Sequence, residues 1–345
     1  MKKFAFIVVA AMLVAALIPA VSACGNADRT EELLAELESM GYTLAFEDNF
    51  DGDEIDYTKW RVGYNVGAGE DGALRRAGYY EVSDDTIDVS DGVLTVSTLY
   101  KDGQYGEGWY TCWLESSVLG SMGSEAPILC AEEDYRGFES TYGYFEVRCI
   151  APPCEGIWSA FWMMPNSEGM SGLGGEPGGA DGVEVDVMES PYYYWDALKR
   201  DNVRHVLHGD GYTYNKTESS EDIRVRDMYS SFHTYGVLWT ETEYVFYVDG
   251  NETWRTTYNV DGEHMGVSHV PQYMILSVEV AGYADGDVPV PGKNNDGTPY
   301  WCGDPMNNDL TKSYDFVIDY VKVYCKNRTS RQTKAAAQNA RRLLF

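Results

Sequence analysis

Val183-Glu184-Val185-Asp186-Val187-Met188-Glu189-Ser190 decides how this chain is read. Valines alternate with acids, the pattern of a strand with one face in an apolar layer and the other open. Glu184 and Asp186 then share the open face, and Val185 and Val187 point into the layer behind. Glu189 lies five positions after Glu184, so an unbroken strand would turn it inward. One extra residue near Val187-Met188, a β-bulge, returns it to the face of the other two, and bulges often re-aim side chains beside active sites. Three acids on one face repel one another and should raise at least one pKa. Such carboxylates can divide labour, one attacking while the other, kept protonated, donates a proton. A calcium site or a solvated strand face would fit the same letters.

The surrounding sequence is built of strands. Gly92–Ser97, Tyr142–Arg148, Tyr244–Asp249 and Phe316–Tyr324 are β-branched and aromatic, with Gly, Asp and Asn between them. Val248-Asp249-Gly250-Asn251 is a hairpin turn signal. Asp28 to Met40 is the exception: Leu33, Leu34 and Leu37 form a helical stripe, Thr30 or Asp28 can cap its start, and Gly41 can end it. Long helical patterns are absent between 42 and 325. The expectation is an all-β fold, one antiparallel β-sandwich of jelly-roll type with a concave substrate cleft. The Gly-rich stretch Ser167–Gly182 lacks phosphate-loop spacing and reads as a loop at a site's rim.

With 44% hydrophobic and 23% charged residues, the chain can fill a large core, which excludes wholesale disorder. Its net charge of −29 argues against nucleic acid, whose phosphates need a basic face. The charge is uneven: Lys326 to Phe345 holds six bases and no acid. At the other end Met1-Lys2-Lys3, an apolar run from Phe4 to Val21 and Ser22-Ala23 read as a signal peptide; a retained membrane anchor is the competing reading. Val21-Ser22-Ala23-Cys24 also resembles a bacterial lipobox, which would make Cys24 a lipidated N-terminus and the chain a cell-surface or outer-membrane lipoprotein. An ordinary cut after Ala23 would leave it secreted. Setting Cys24 aside leaves Cys112, Cys130, Cys149, Cys154, Cys302 and Cys325, enough for three disulfides or for buried thiols. Their spacing is not that of a zinc site.

The acidic strand and its surroundings together resemble glycoside hydrolase family 16 in its bulged, laminarinase-like form. Matching stretches run in order: Phe46–Gly52 with Trp60, Tyr142–Arg148, Gly156–Pro165, the acidic strand, Phe232–Trp239, Phe246–Gly250 and Val317–Tyr324. The resemblance implies that Glu184 is the nucleophile, that Glu189 is the general acid and then base, and that Asp186 tunes the nucleophile. It implies retention of anomeric configuration, with carboxyls ~5–5.5 Å apart. Trp158 and Trp162 would line the cleft with flat faces for sugar rings. His208 would be a cleft residue, Glu279 a sugar-hydroxyl acceptor sharing a face with Ser277, and Arg76, Tyr80 and Asn65 part of the glycone-side loops. Trp301 would be a platform on the leaving-group side, and His233 structural. No cofactor is expected for catalysis. A structural calcium on the convex side would take Glu47, the Gly92 carbonyl and Asp319.

The expected organisation is a signal peptide over 1–23, a lipoprotein linker and short helix over 24–42, a catalytic domain over 43–325 and a basic tail over 326–345. The expected function is an exported endo-acting hydrolase of β-1,3-glucan, acting as a monomer and touching membrane only through the lipid at Cys24. Mixed-linkage β-1,3-1,4-glucan and red-algal galactans are the alternative substrates, and transglycosylation the neighbouring reaction. A non-catalytic surface glycan-binding protein is the alternative of another class; it would have no need of a paired nucleophile and acid.

Overall fold

The computed structural model describes residues 27–63, 73–117, 136–165, 183–190, 201–209, 217–258 and 266–326. Alternation of burial along Val93–Gly103 and continuous burial along Ile157–Pro165 and Gln272–Val280 give the two strand types of a sandwich. The larger sheet runs in the order Asn251–Thr256, Tyr244–Val248, His233–Trp239, Gly143–Ile150, Ser313–Lys326, Val93–Gly103, Gly106–Thr111, Gly78–Tyr80 and Ala73–Arg75, with Tyr42–Asp48 and Ile87–Ser90 added alongside. The smaller runs Thr217–Ser219, Asn202–His208, Glu184–Ser190, Ile157–Pro165, Gln272–Val280, Trp113–Glu115 and Arg61–Val62. Pairing is antiparallel apart from Gly78–Tyr80 with Gly106–Thr111.

Val185, Val187, Phe161, Met163, Leu276 and Val278 of the smaller sheet share one core with Phe145, Val147, Val237, Phe316 and Ile318 of the larger. Phe161 is fully buried there, and its truncation to Ala would cost ~3–5 kcal/mol. The opposite face of the smaller sheet is therefore free to carry polar groups. The hairpin at Val248–Asn251 forms as its letters predict. Asp249 and Gly250 both take positive φ, as a type I′ turn requires. A Cβ on Gly250 would also strike the Arg29 carbonyl carbon at 2.3 Å.

The helix spans Thr30–Ser39. Asp28 Oδ1 accepts from the Thr30 amide at 2.9 Å, and Gly41 leaves the helix at φ 88°. Leu33 and Leu37 pack on Tyr42, Tyr144 and Tyr324, so the helix docks on the outer face of the larger sheet. Among the described residues no helix is long and apolar enough to cross a membrane. Cys112, Cys149, Cys154, Cys302 and Cys325 are free thiols, so these five form no disulfide with one another. Cys24, Cys130 and the tail beyond Lys326 lie outside the described residues.

Candidate active site

The acidic strand is bulged. Against Ile157–Pro165, Phe161 pairs with Met188 and Trp162 with Asp186, so Val187 has no partner. Against Asn202–His208 the register slips between Asp186 and Glu189. Val187 and Met188 consequently both enter the core, and Glu189 rejoins Glu184 and Asp186 on the cleft face. His205 braces the bulge: its Nδ1 lies 2.6 Å from the Val187 carbonyl oxygen, which can only accept, so Nδ1 donates. Burial pushes the His205 pKa down to about 4, which keeps the ring neutral with Nε2 facing Thr253 Oγ1 at 2.8 Å. His205 has the opposite strand parity from His208, the one signal in the sequence that could have flagged it.

Crowding of acids has the expected electrical result. Asp186 is 4% exposed. Burial first, then Glu184, Glu189 and Glu279, hold its carboxyl well above the usual range. Glu189 is pushed up to about 7, mainly by burial and then by the charge of Glu279, with Arg76 and Arg204 opposing. Glu279 moves the other way. Burial alone would raise it, but Arg75 and Arg76 outweigh burial and lower it. Arg75 Nη2 lies 2.8 Å from Oε1, and Arg76 Nε ion-pairs Oε2. With both oxygens held, Glu279 fixes two arginines in the cleft.

The remaining predicted residues fall around this centre. Trp158 stacks on Tyr300 at 6.1 Å and lies under the Arg76 guanidinium at 4.8 Å. Trp162 donates from Nε1 to Ser277 Oγ at 3.0 Å and meets Trp113 edge-on. Both tryptophans are less than a tenth exposed, whereas Trp301 beside Trp158 is 39% exposed. His208 pairs with Glu184 across the strands; its Nε2 lies 3.4 Å from Asp186 Oδ2 and 3.8 Å from Glu184 Oε1. Tyr80 donates its hydroxyl to the Val278 carbonyl. Asn65 lies outside the described residues. Arg75, Arg204, His205, Trp113 and Tyr300 were not singled out in the sequence.

His233 is bonded to Asp249 at 2.8 Å in the larger sheet, away from the acids. The expected calcium ligands lie along a seam of that sheet. There Leu94 pairs with Ile318 and Asp48 with Val321, and Asp319 bulges from the strand between them. The donors do not fit a divalent ion as arranged: Lys322 Nζ lies 3.2 Å from Glu47 and Arg148 ion-pairs Asp319. Two cations thus face the carboxylates of Glu47 and Asp319 that, with the Gly92 carbonyl, were expected to hold calcium.

The model of the glycosyl hydrolases family 16 matches residues 134–302, which contain the acidic strand and its neighbours. Over that stretch the chain is similar to glycosyl hydrolase family 16. It is 32% identical over 190 residues to the endo-1,3-1,4-beta-glycanase ExsH of Rhizobium meliloti, a match covering 55% of this chain and 32% of that protein. It is 28% identical over 195 residues to a beta-glucanase of Rhodothermus marinus, covering 53% and 57%. The fold is that of the catalytic domain of an endo-1,3-beta-glucanase (laminarinase) from Thermotoga petrophila: TM-score 0.58, 23% identity, 83% of this chain and 99% of that one. The chain spans about a third of the length of the curated relatives it matches first.

Proposed function

We propose that this chain is an exported, retaining, endo-acting β-glucan hydrolase with β-1,3-glucan as its first substrate. The observation that carries the reading is Glu189, a carboxyl pushed up to about 7 on the same bulged strand face as Glu184. Glu184 attacks the anomeric carbon while Glu189 gives its proton to the leaving oxygen. Glu189, now a carboxylate, then takes a proton from the water that releases the sugar from Glu184. Asp186, between them, tunes the nucleophile. Trp158, Trp162, Trp301 and the Arg75–Arg76 pair receive the sugars on either side. The β-glucan activities in the names of the relatives support this substrate class, and they make mixed-linkage β-1,3-1,4-glucan the second substrate.

The test is reducing-end release and product profile on laminarin, barley β-glucan, lichenan, agarose and carrageenan, with Glu184→Gln as the blank. Oligosaccharides from a β-glucan, absent in the blank, are expected. Silence on all five with retained binding would make the chain a glycan-binding protein instead. The export reading rests on residues 1–23 and Cys24; Cys24→Ala should abolish lipid labelling and free the protein from the membrane fraction. A variant that stays in the membrane would leave a retained anchor as the better account.

A further inference from the structure

We propose that Glu184, Asp186 and His208 form a binding site for a borderline divalent cation, zinc above all, which switches the cleft off. As a metal site this stands on the geometry; as a regulator of hydrolysis it rests on the function proposed above.

Three donors from two adjacent strands converge. One ligand atom from each residue lies within 4.8 Å of the other two, with His208 Nε2 3.4 Å from Asp186 Oδ2 and 3.8 Å from Glu184 Oε1. Two ligands on a tetrahedral zinc at ~2.1 Å stand about 3.4 Å apart, close to the two separations from His208. A second observation points to a missing partner. Asp186 is 4% exposed, and its Oδ2 has no hydrogen-bond partner among the described residues. His208 is also oriented as a ligand: its Nδ1 lies 3.0 Å from Thr217 Oγ1. A ring that donates there from Nδ1 presents the Nε2 lone pair to the acids, and an outer partner of this kind fixes the tautomer of metal-bound histidines. Three possible ligand atoms then lie within 4.8 Å of one another, a separation that a single cation can bridge.

The donor set chooses the ion. Calcium and magnesium take oxygen ligands, whereas an imidazole nitrogen with two carboxylates suits zinc and copper(II). Three protein ligands leave a coordination position for water. The ion would hold the carboxylate assigned to nucleophilic attack, so zinc and the sugar ring at that carbon exclude each other.

Isothermal titration of the EDTA-stripped, dialysed full-length protein with zinc chloride tests the site. One equivalent should bind, with X-ray absorption giving nitrogen and oxygen neighbours at ~2.0–2.1 Å. His208→Gln and Asp186→Asn should each weaken that binding on the order of tenfold or more, with unchanged circular dichroism. Zinc should stop reducing-end release while magnesium at the same concentration does not. Sulfur neighbours at ~2.3 Å, or affinity undiminished in either variant, would overturn the site by moving the ion to the thiols or elsewhere. If no polysaccharide is cleaved but zinc binds as described, the hydrolase reading falls and the site remains. If turnover is normal and zinc does not bind, only the site falls.

Discussion

Glu146 and Glu189 lie on opposite outer faces of the sandwich, and both carboxyls are pushed up to about 7, with burial the largest cause. Their surroundings differ. Glu146 is fully buried in the larger sheet and accepts hydrogen bonds from the Tyr144 and Tyr320 hydroxyls, beside the docked helix. Glu189 faces other acids, with Arg76 and Arg204 pulling the other way, on a strand bent to aim it outward. A raised pKa therefore marks burial in both places and, in the function proposed above, chemistry in only one. What separates them is the company each keeps: hydroxyl donors that satisfy a structural acid, against carboxylates that repel a working one.

The largest effect should separate them outright. Glu189→Gln or Glu184→Gln should lower turnover of a β-glucan by at least ~10²–10⁴-fold without lowering the melting temperature. Glu146→Gln should leave turnover within about twofold of the parent, since it touches nothing in the cleft. Near-normal turnover by either cleft variant would end the assignment, and a collapse of activity in a folded Glu146→Gln protein would end the contrast.

The pH dependence sharpens it. Both carboxyls bind a proton more tightly folded than unfolded, so stability falls as pH rises from the ordinary carboxylate range, about 4.5, through about 7. For Glu146 the loss is at most about 3–4 kcal/mol, complete only well above pH 7. Glu146→Gln should remove much of that fall, seen as a shallower decline of melting temperature between pH 5 and 8. Activity should follow Glu189 instead: kcat/KM should drop on the alkaline side of about 7 as the proton donor is lost. Because Asp186 and Glu189 interact, the limb belongs to the cluster rather than to one group. An alkaline limb far from 7, or one moved by Glu146→Gln, would contradict this assignment.

His205 acts on Glu189 at one remove. Its ring N–H holds the carbonyl of the bulged residue, and the buried donor left over after truncation costs ~1–3 kcal/mol. His205→Leu should therefore lower both melting temperature and kcat, the latter by about tenfold. His205→Gln, which can still donate to Val187, should recover much of kcat. Equal activity in the two variants would show that packing alone shapes the bulge.

The parts of the site that were legible lie within one strand. Alternation in Val183–Ser190 has only two parities, so three acids on one face demand a bulge, and the same rule placed Trp158 with Trp162. The sandwich was legible for the same local reason. Contacts across the fold were not. Arg75 and Glu279 are 204 positions apart, and nothing in either segment announces the ion pair. Glu146 reads as an ordinary outward residue of Gly143–Ile150 until a helix docks beside it, and the acid next to Tyr144 becomes a buried one.

The smallest effect concerns the seam where calcium was expected. Glu47 and Asp319 are carboxylates, the oxygen donors that calcium takes, yet Lys322 and Arg148 pair with them. A resident ion at a hundredfold excess over its Kd would contribute about 2.7 kcal/mol, or roughly 5–10 °C in a domain of this size. EDTA should instead shift the melting temperature by less than about 2 °C, because the charge that calcium would neutralise is already neutralised. A larger fall, restored by calcium and not by magnesium, would mean that Lys322 and Arg148 yield to the ion. The contrast with the cleft is again one of company. Carboxylates matched by cations have no call for a metal, whereas Asp186, buried with an oxygen that no described donor satisfies, does.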